Sequence, residues 1–156
     1  MSRSVSNLED HVGYWLRFVS NHVSHSFAAK VETEGVTVAE WVVLREMFAQ
    51  SSVNPSQLAE RLGLTRGAVS KLIDRLVSKS LVEKQMGKAI ASNLDGRYQT
   101  VDLTPAGRRL VPKLAKLADK NDEEFFGYLS SKQKADLVRI LKELVKANGL
   151  KNIPVK

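Results

Sequence analysis

The stretch from Pro55 to Leu76 (Pro-Ser-Gln-Leu-Ala-Glu-Arg-Leu-Gly-Leu-Thr-Arg-Gly-Ala-Val-Ser-Lys-Leu-Ile-Asp-Arg-Leu) constrains the fold most. Asn54 stands where a helix cap belongs and Pro55 at the first helical turn, so a short helix starts here. Gly63 breaks it, and Thr65 is placed to cap a second helix running to about Lys79. Ala59 is small enough for the two helices to cross closely. A step of 100° per residue puts Val69, Leu72, Ile73 and Leu76 on one side of the second helix. Together with Leu58, Leu62 and Leu64 they can form one shared core. Arg66, Gly67, Ser70, Lys71, Asp74 and Arg75 remain on the outer face. A short helix, a tight glycine turn and a capped second helix make a helix-turn-helix. Periodicity alone also allows an ordinary helical hairpin with a solvated charged face.

Around this unit the apolar spacing predicts more helices and one short β-like interruption. A first helix is expected from Ser6, with Ser6 and Glu9 as a capping box. Leu8, Val12, Trp15, Val19, Val23, Phe27 and Val31 then recur at three- and four-residue steps until Glu34-Gly35. That stripe is longer than a small domain needs for its own core. Thr37 and Glu40 form a second capping box, opening a helix with Trp41, Leu44, Met47 and Phe48 inward. Strand-like runs follow at Leu81–Met86 and Tyr98–Leu103, with the turn dipeptide Asp95-Gly96 before the second. Thr104-Pro105 starts a helix in which Pro112 should produce a kink. Ser130 and Gln133 cap the last helix, which carries Leu137, Ile140, Leu141 and Leu144.

Composition narrows the function. The chain of 156 residues has no cysteine, which removes disulfide scaffolds, thiolate metal sites and cysteine redox chemistry. With 24 basic and 17 acidic residues it carries a net charge of +7, favouring polyanionic partners. Between Asn54 and Val111 ten basic residues face five acidic ones, an excess of five that holds most of the total. No apolar run approaches the ~20 residues that span a bilayer, and Met1–Val5 lacks the apolar core of a secretory signal. A cytoplasmic protein that does not engage membranes is therefore expected. No phosphate-binding glycine loop, nucleophile elbow or His-Glu-x-x-His helix occurs, so no enzymatic activity and no cofactor are expected.

Residues 37–109 resemble the MarR family of bacterial transcriptional regulators. The motifs that carry the likeness are the Ser56–Leu76 segment, Ser80-Leu81-Val82-Glu83-Lys84, Asp95-Gly96-Arg97, and Val101-Asp102-Leu103-Thr104-Pro105-Ala106-Gly107-Arg108. Their joint order and spacing are specific; each alone is not. The resemblance implies a mainly α fold with a small β-hairpin wing, and a homodimer whose first and last two helices interlock. Residues 37–103 would be the winged helix-turn-helix DNA-binding region, and residues 1–36 and 104–156 the helical dimerisation region. Each subunit would set its recognition helix in the major groove of a pseudo-palindromic operator, as a repressor. The expected DNA contacts are Thr65, Arg66, Gly67, Ser70, Lys71 and Arg75, with Ser56 and Gln57 positioning the backbone. In the wing, the family's Asp-x-Arg pattern assigns Arg97 to the minor groove and Asp95 to orienting it. Asp95-Gly96 is equally readable as a plain hairpin turn. Two places depart from the family pattern. The segment 87–94 is longer and more apolar than usual, and Ser80 stands where glycine is common, at a cost of about 1 kcal/mol if its backbone is left-handed.

The family also suggests a small aromatic or anionic effector. Trp15, Trp41 and Arg45 could line its pocket, Arg45 bonding a carboxylate; both tryptophans are also readable as core or interface packing. His22 and His25 share a helical face, but with no further ligand nearby they read as solvated or interface residues, and no metal site is expected. The competing function is a winged-helix module that binds a protein and has lost DNA affinity.

Overall fold

The computed structural model describes residues 4–87 and 98–151. A 3-10 turn at Leu8–Asp10 precedes α1 (Val12–Glu32), α2 (Val38–Phe48), α3 (Pro55–Leu62) and α4 (Arg66–Ser78). β1 (Val82–Gly87) and β2 (Tyr98–Leu103) follow, then α5 (Pro105–Phe126) and α6 (Ser131–Ala147). The expected order of helices and strands therefore holds, and the architecture is mainly helical with a two-stranded hairpin.

Local chemistry sets most helix starts. Thr37, Thr65, Thr104 and Ser130 each accept a hydrogen bond from the backbone three residues on, and Glu40 and Gln133 complete reciprocal boxes. The first helix is the exception. Asn7 and Asp10, not Ser6 and Glu9, form the box there, and it closes only a 3-10 turn before α1 begins at Val12. Asn7 N donates to the Asp10 carboxylate at 3.0 Å, so the first turn belongs to this short element and the chain restarts at His11. α5 runs unbroken through Pro112. Pro112 lies on the exposed side, so the helix bond it cannot make is one that water can replace.

α2, α4, the hairpin and the first half of α5 enclose a single core. Its fully buried members include Val31, Val43, Leu44, Met47, Leu58, Val69, Ile73, Leu76, Val101 and Leu114. Phe48, expected inward, is instead exposed, because Val43 and Glu40 take the buried positions of α2. The strands pair antiparallel from Val82–Leu103 to Gly87–Tyr98. Val53, before α3, forms a single antiparallel β-bridge with Val101 through two hydrogen bonds, at 3.0 and 2.9 Å. That bridge ties the helix-turn-helix to the hairpin.

α6 differs from the rest. It contributes no buried residue, and Leu137, Val138, Ile140, Leu141, Leu144 and Val145 are all exposed. The first half of α1 is similar, exposing Val12, Trp15, Leu16, Phe18 and Val19. A single chain thus leaves the apolar faces of its two terminal helices in water.

Candidate nucleic-acid interface

The reading surface is built from the α3–α4 corner. Asn54 Oδ1 accepts from Ser56 N at 2.7 Å and starts α3. Gly63 ends α3 in the left-handed region (φ 64°), and Leu64 N donates back to Ala59 O at 3.0 Å. Thr65 Oγ1 then accepts from Ala68 N at 3.1 Å and starts α4 two residues after the turn. Leu58 and Ala59 on α3 and Val69, Leu72, Ile73 and Leu76 on α4 are buried. That packing fixes the rotation of α4 about its axis. Thr65, Arg66, Gly67, Ser70, Lys71 and Arg75 are consequently exposed together, along with Gln57; Ser56 is half-buried at the start of α3.

The electrostatics of this surface are one-sided. Arg66, Lys71 and Arg75 make no ion pair with any described residue. Asp74, the one acid on α4, is held by Lys84 Nζ of β1 at 2.6 Å. That pair removes the carboxylate's repulsion from the cationic face and joins the wing to the recognition helix. Arg61 is turned away to Glu46 at 3.5 Å. Gly67 is not required by packing, since a Cβ there would meet nothing within 4 Å. Glycine inside a helix costs about 1 kcal/mol against alanine, so its presence suits close approach by another molecule.

Two supports of the site were not visible in the sequence. Lys79, at the C-terminal cap of α4, donates to the buried Glu40 carboxylate at 2.7 Å and to Gly35 O at 2.9 Å, anchoring α4 to the start of α2. Asp102 of β2 accepts from both the backbone N and the hydroxyl of Ser52, which has a positive φ of 51°. That clamp holds the chain next to the Val53 bridge that leads into α3. The partners stand 39 and 50 residues apart in the chain, and no local pattern signals them.

Residues 34–89 match the family model described as MarR family. The regulator SarZ of Staphylococcus haemolyticus is 24% identical over 143 residues, covering 92% of this chain and 92% of its own length. Over the segment 34–89 the chain is thus similar to the MarR family. Among solved structures, BpsR of Bordetella bronchiseptica, studied for regulation of its DNA binding by 6-hydroxynicotinic acid, superimposes with a TM-score of 0.77. It is 23% identical, over 90% of this chain and 98% of its own. A mutant E. coli MarR complexed with operator DNA gives 0.72 at 24% identity, over 86% and 93% of the two chains. These two likenesses extend the MarR-family fold over nearly the whole chain.

Asp95 and Arg97 lie outside the described residues. The tryptophans expected near an effector are not neighbours within one chain. Trp15 is exposed and donates from Nε1 to Glu9 O at 2.9 Å, with Tyr14 edge-on at 5.1 Å. Trp41 is half-buried against Phe27, edge-to-face at 6.4 Å. Trp15 and Phe27 are separated by about 18 Å along α1. Arg45 is exposed one turn beyond Trp41 on α2. No cluster of three metal-ligating side chains occurs among the described residues. Nor is any helix there long and apolar enough to cross a membrane.

Proposed function

We propose that this chain is a MarR-family regulator, a homodimeric transcriptional regulator that reads a pseudo-palindromic operator and represses the genes behind it. The observation that carries the proposal is the exposed face of α4, whose cations pair with no described residue. There Arg66, Lys71 and Arg75 surround Ser70 and the packing-free Gly67. Arginine binds guanine in a bidentate manner, serine adapts to several base edges, and lysine neutralises phosphate. Ser56 and Gln57 approach the backbone from the start of α3. Arg97, oriented by Asp95, enters the minor groove beside it. Residues 37–103 carry this DNA-binding function.

Dimerisation is supported by α6 and the first half of α1, whose apolar faces no other described residue buries. Residues 1–36 and 104–156 form the dimerisation region, its interface made by the uncovered apolar faces of α1 and α6, and the two copies of α4 stand ~34 Å apart to enter successive major grooves. The protein works in the cytoplasm, without catalysis. A small aromatic or anionic ligand releases the operator by changing that separation; Trp15, Trp41 and Arg45 are its candidate contacts, and Trp15 of one copy would have to meet Trp41 of the other. The cationic reading face favours DNA over a protein partner.

Selection of bound sites from random duplexes tests the reading directly. Wild-type protein is expected to enrich an inverted repeat, and Lys71→Glu to lose affinity for it by about 100-fold or more while remaining a folded dimer. Undiminished protection of the same site by that variant would remove α4 from the interface.

A further inference from the structure

α5 carries a second cationic surface that the reading face does not use. Arg109, Lys113, Lys116 and Lys120 follow one another at steps of four, three and four residues. That spacing stacks them within about 60° of arc and about 16 Å of helix length. All four are exposed, on the side away from the buried Gly107, Val111, Leu114 and Asn121. None makes an ion pair with a described residue, although Glu123 and Glu124 of the same helix are paired with Lys134 and Lys30.

Helix stability does not account for this pattern. The first turn of α5 holds no acid and its last turn no base; its carboxylates, Asp119, Asp122, Glu123 and Glu124, lie toward the C-terminal end. Charges so distributed run against the helix dipole, which favours acids at the start and bases at the end. The row is instead joined firmly to the reading lobe. Only Thr104 separates β2 from α5, and it is fixed twice, by its N to Leu81 O at 3.1 Å and by its hydroxyl to Ser80 O at 2.7 Å. Arg109 stands about one turn beyond that joint.

We propose that Arg109, Lys113, Lys116 and Lys120 form a sequence-independent phosphate-binding rail for duplex DNA flanking the site read by α4. The inference rests on the DNA-binding reading above. Duplex DNA carries one negative charge per ~1.7 Å, so the length of the rail faces about ten phosphates, enough for every cation on it. Its span is about half a helical turn, or about five base pairs of flank for each subunit.

The test compares wild-type protein with R109Q/K113Q/K116Q/K120Q, on duplexes of about 20 and about 40 base pairs centred on the site recovered by selection. Affinity is measured across a salt series, after thermal melting has shown that the two proteins are equally folded. Wild-type protein should bind the long duplex more tightly and with a steeper salt dependence. In the variant the slope on the long duplex should fall by about 3 to 4, while binding to the short one is unchanged. Equal wild-type slopes on both lengths would overturn the rail. So would an unchanged slope in the variant, which is what a surface meant for an acidic protein would give. Equal losses on both duplexes would place the four residues over the core site and overturn the flanking role. Wild-type protein that binds neither duplex removes the DNA-binding reading and the rail with it.

Discussion

Lys79→Met tests how the recognition helix is held in place. Glu40 is 1% exposed, and among the described residues its carboxylate accepts only from Lys79 Nζ at 2.7 Å and Thr37 N at 3.1 Å. Lys79, by contrast, keeps 36% of its side chain exposed. Methionine retains the aliphatic stem and its packing but removes the ammonium. Removing one partner of a fully buried pair costs about 3–5 kcal/mol. Solvent reaches this pair from the lysine side, which screens part of that cost, so about 2–3 kcal/mol is expected. For a chain of this size that lowers the melting temperature by about 5–10 °C. Glu40→Gln should cost less, about 1 kcal/mol, because glutamine still closes the capping box and the released ammonium can turn to water. The double variant should recover most of the Lys79→Met loss, since no charge is then left buried. Urea denaturation at one fixed protomer concentration measures all three, because dimer stability varies with concentration. Equal costs for the two single variants, or strict additivity in the double, would refute the burial asymmetry on which the estimate depends.

Three other outcomes follow from individual contacts. Ser80 has a left-handed φ of 58°, with Ser80 N on Val77 O and Leu81 N on Leu76 O in a Schellman closure, so Ser80→Gly should stabilise the protein by roughly 0.5–1 kcal/mol in chemical denaturation. Gly107→Ala should destabilise by about 1–3 kcal/mol in the same assay, because the new Cβ would run into the Leu81 carbonyl that also accepts from Thr104 N; a neutral result would mean that the β2–α5 joint is looser than described. The Glu124 carboxyl is held below its ordinary value chiefly by the hydrogen bond from Lys30 Nζ, which, with the smaller effects of the Lys30 and Lys120 charges, outweighs its desolvation. A depressed carboxylate pKa contributes stability above the ordinary value of 4.5 that is lost as pH falls through the lowered one. Glu124→Gln should therefore be less stable than wild type near neutrality and converge with it in acid. A stability difference that stayed constant in pH titrations of unfolding would contradict this.

Most of the fold was legible because its signals are local. Thr37, Thr65, Thr104 and Ser130 each satisfy backbone donors within their own first turn, so their side chains mark helix starts whatever surrounds them. The outward face of α4 was legible for a related reason. Once Val69, Leu72, Ile73 and Leu76 are buried, a period of 3.6 residues leaves Arg66, Ser70, Lys71 and Arg75 nowhere else to point. The start of α1 misled because Ser6/Glu9 and Asn7/Asp10 are competing boxes one residue apart, and their sequences hardly distinguish them. Phe48 misled because helical periodicity does not say how wide a buried face will be, and here Glu40 and Val43 occupy part of it.

The amino-acid sequence alone dictated where every helix but the first begins, which faces are apolar and where positive charge accumulates, since each depends on residues within a turn or two of one another. Tertiary structure alone decided that Lys79 reaches Glu40, that Lys84 neutralises Asp74, that Asp102 holds Ser52, and that Val53 bridges to Val101. Partners far apart along the chain leave no periodic trace in it. They meet only when the burial of other side chains brings their backbones together, and a charged group without such a partner looks the same in the sequence as one that has found it.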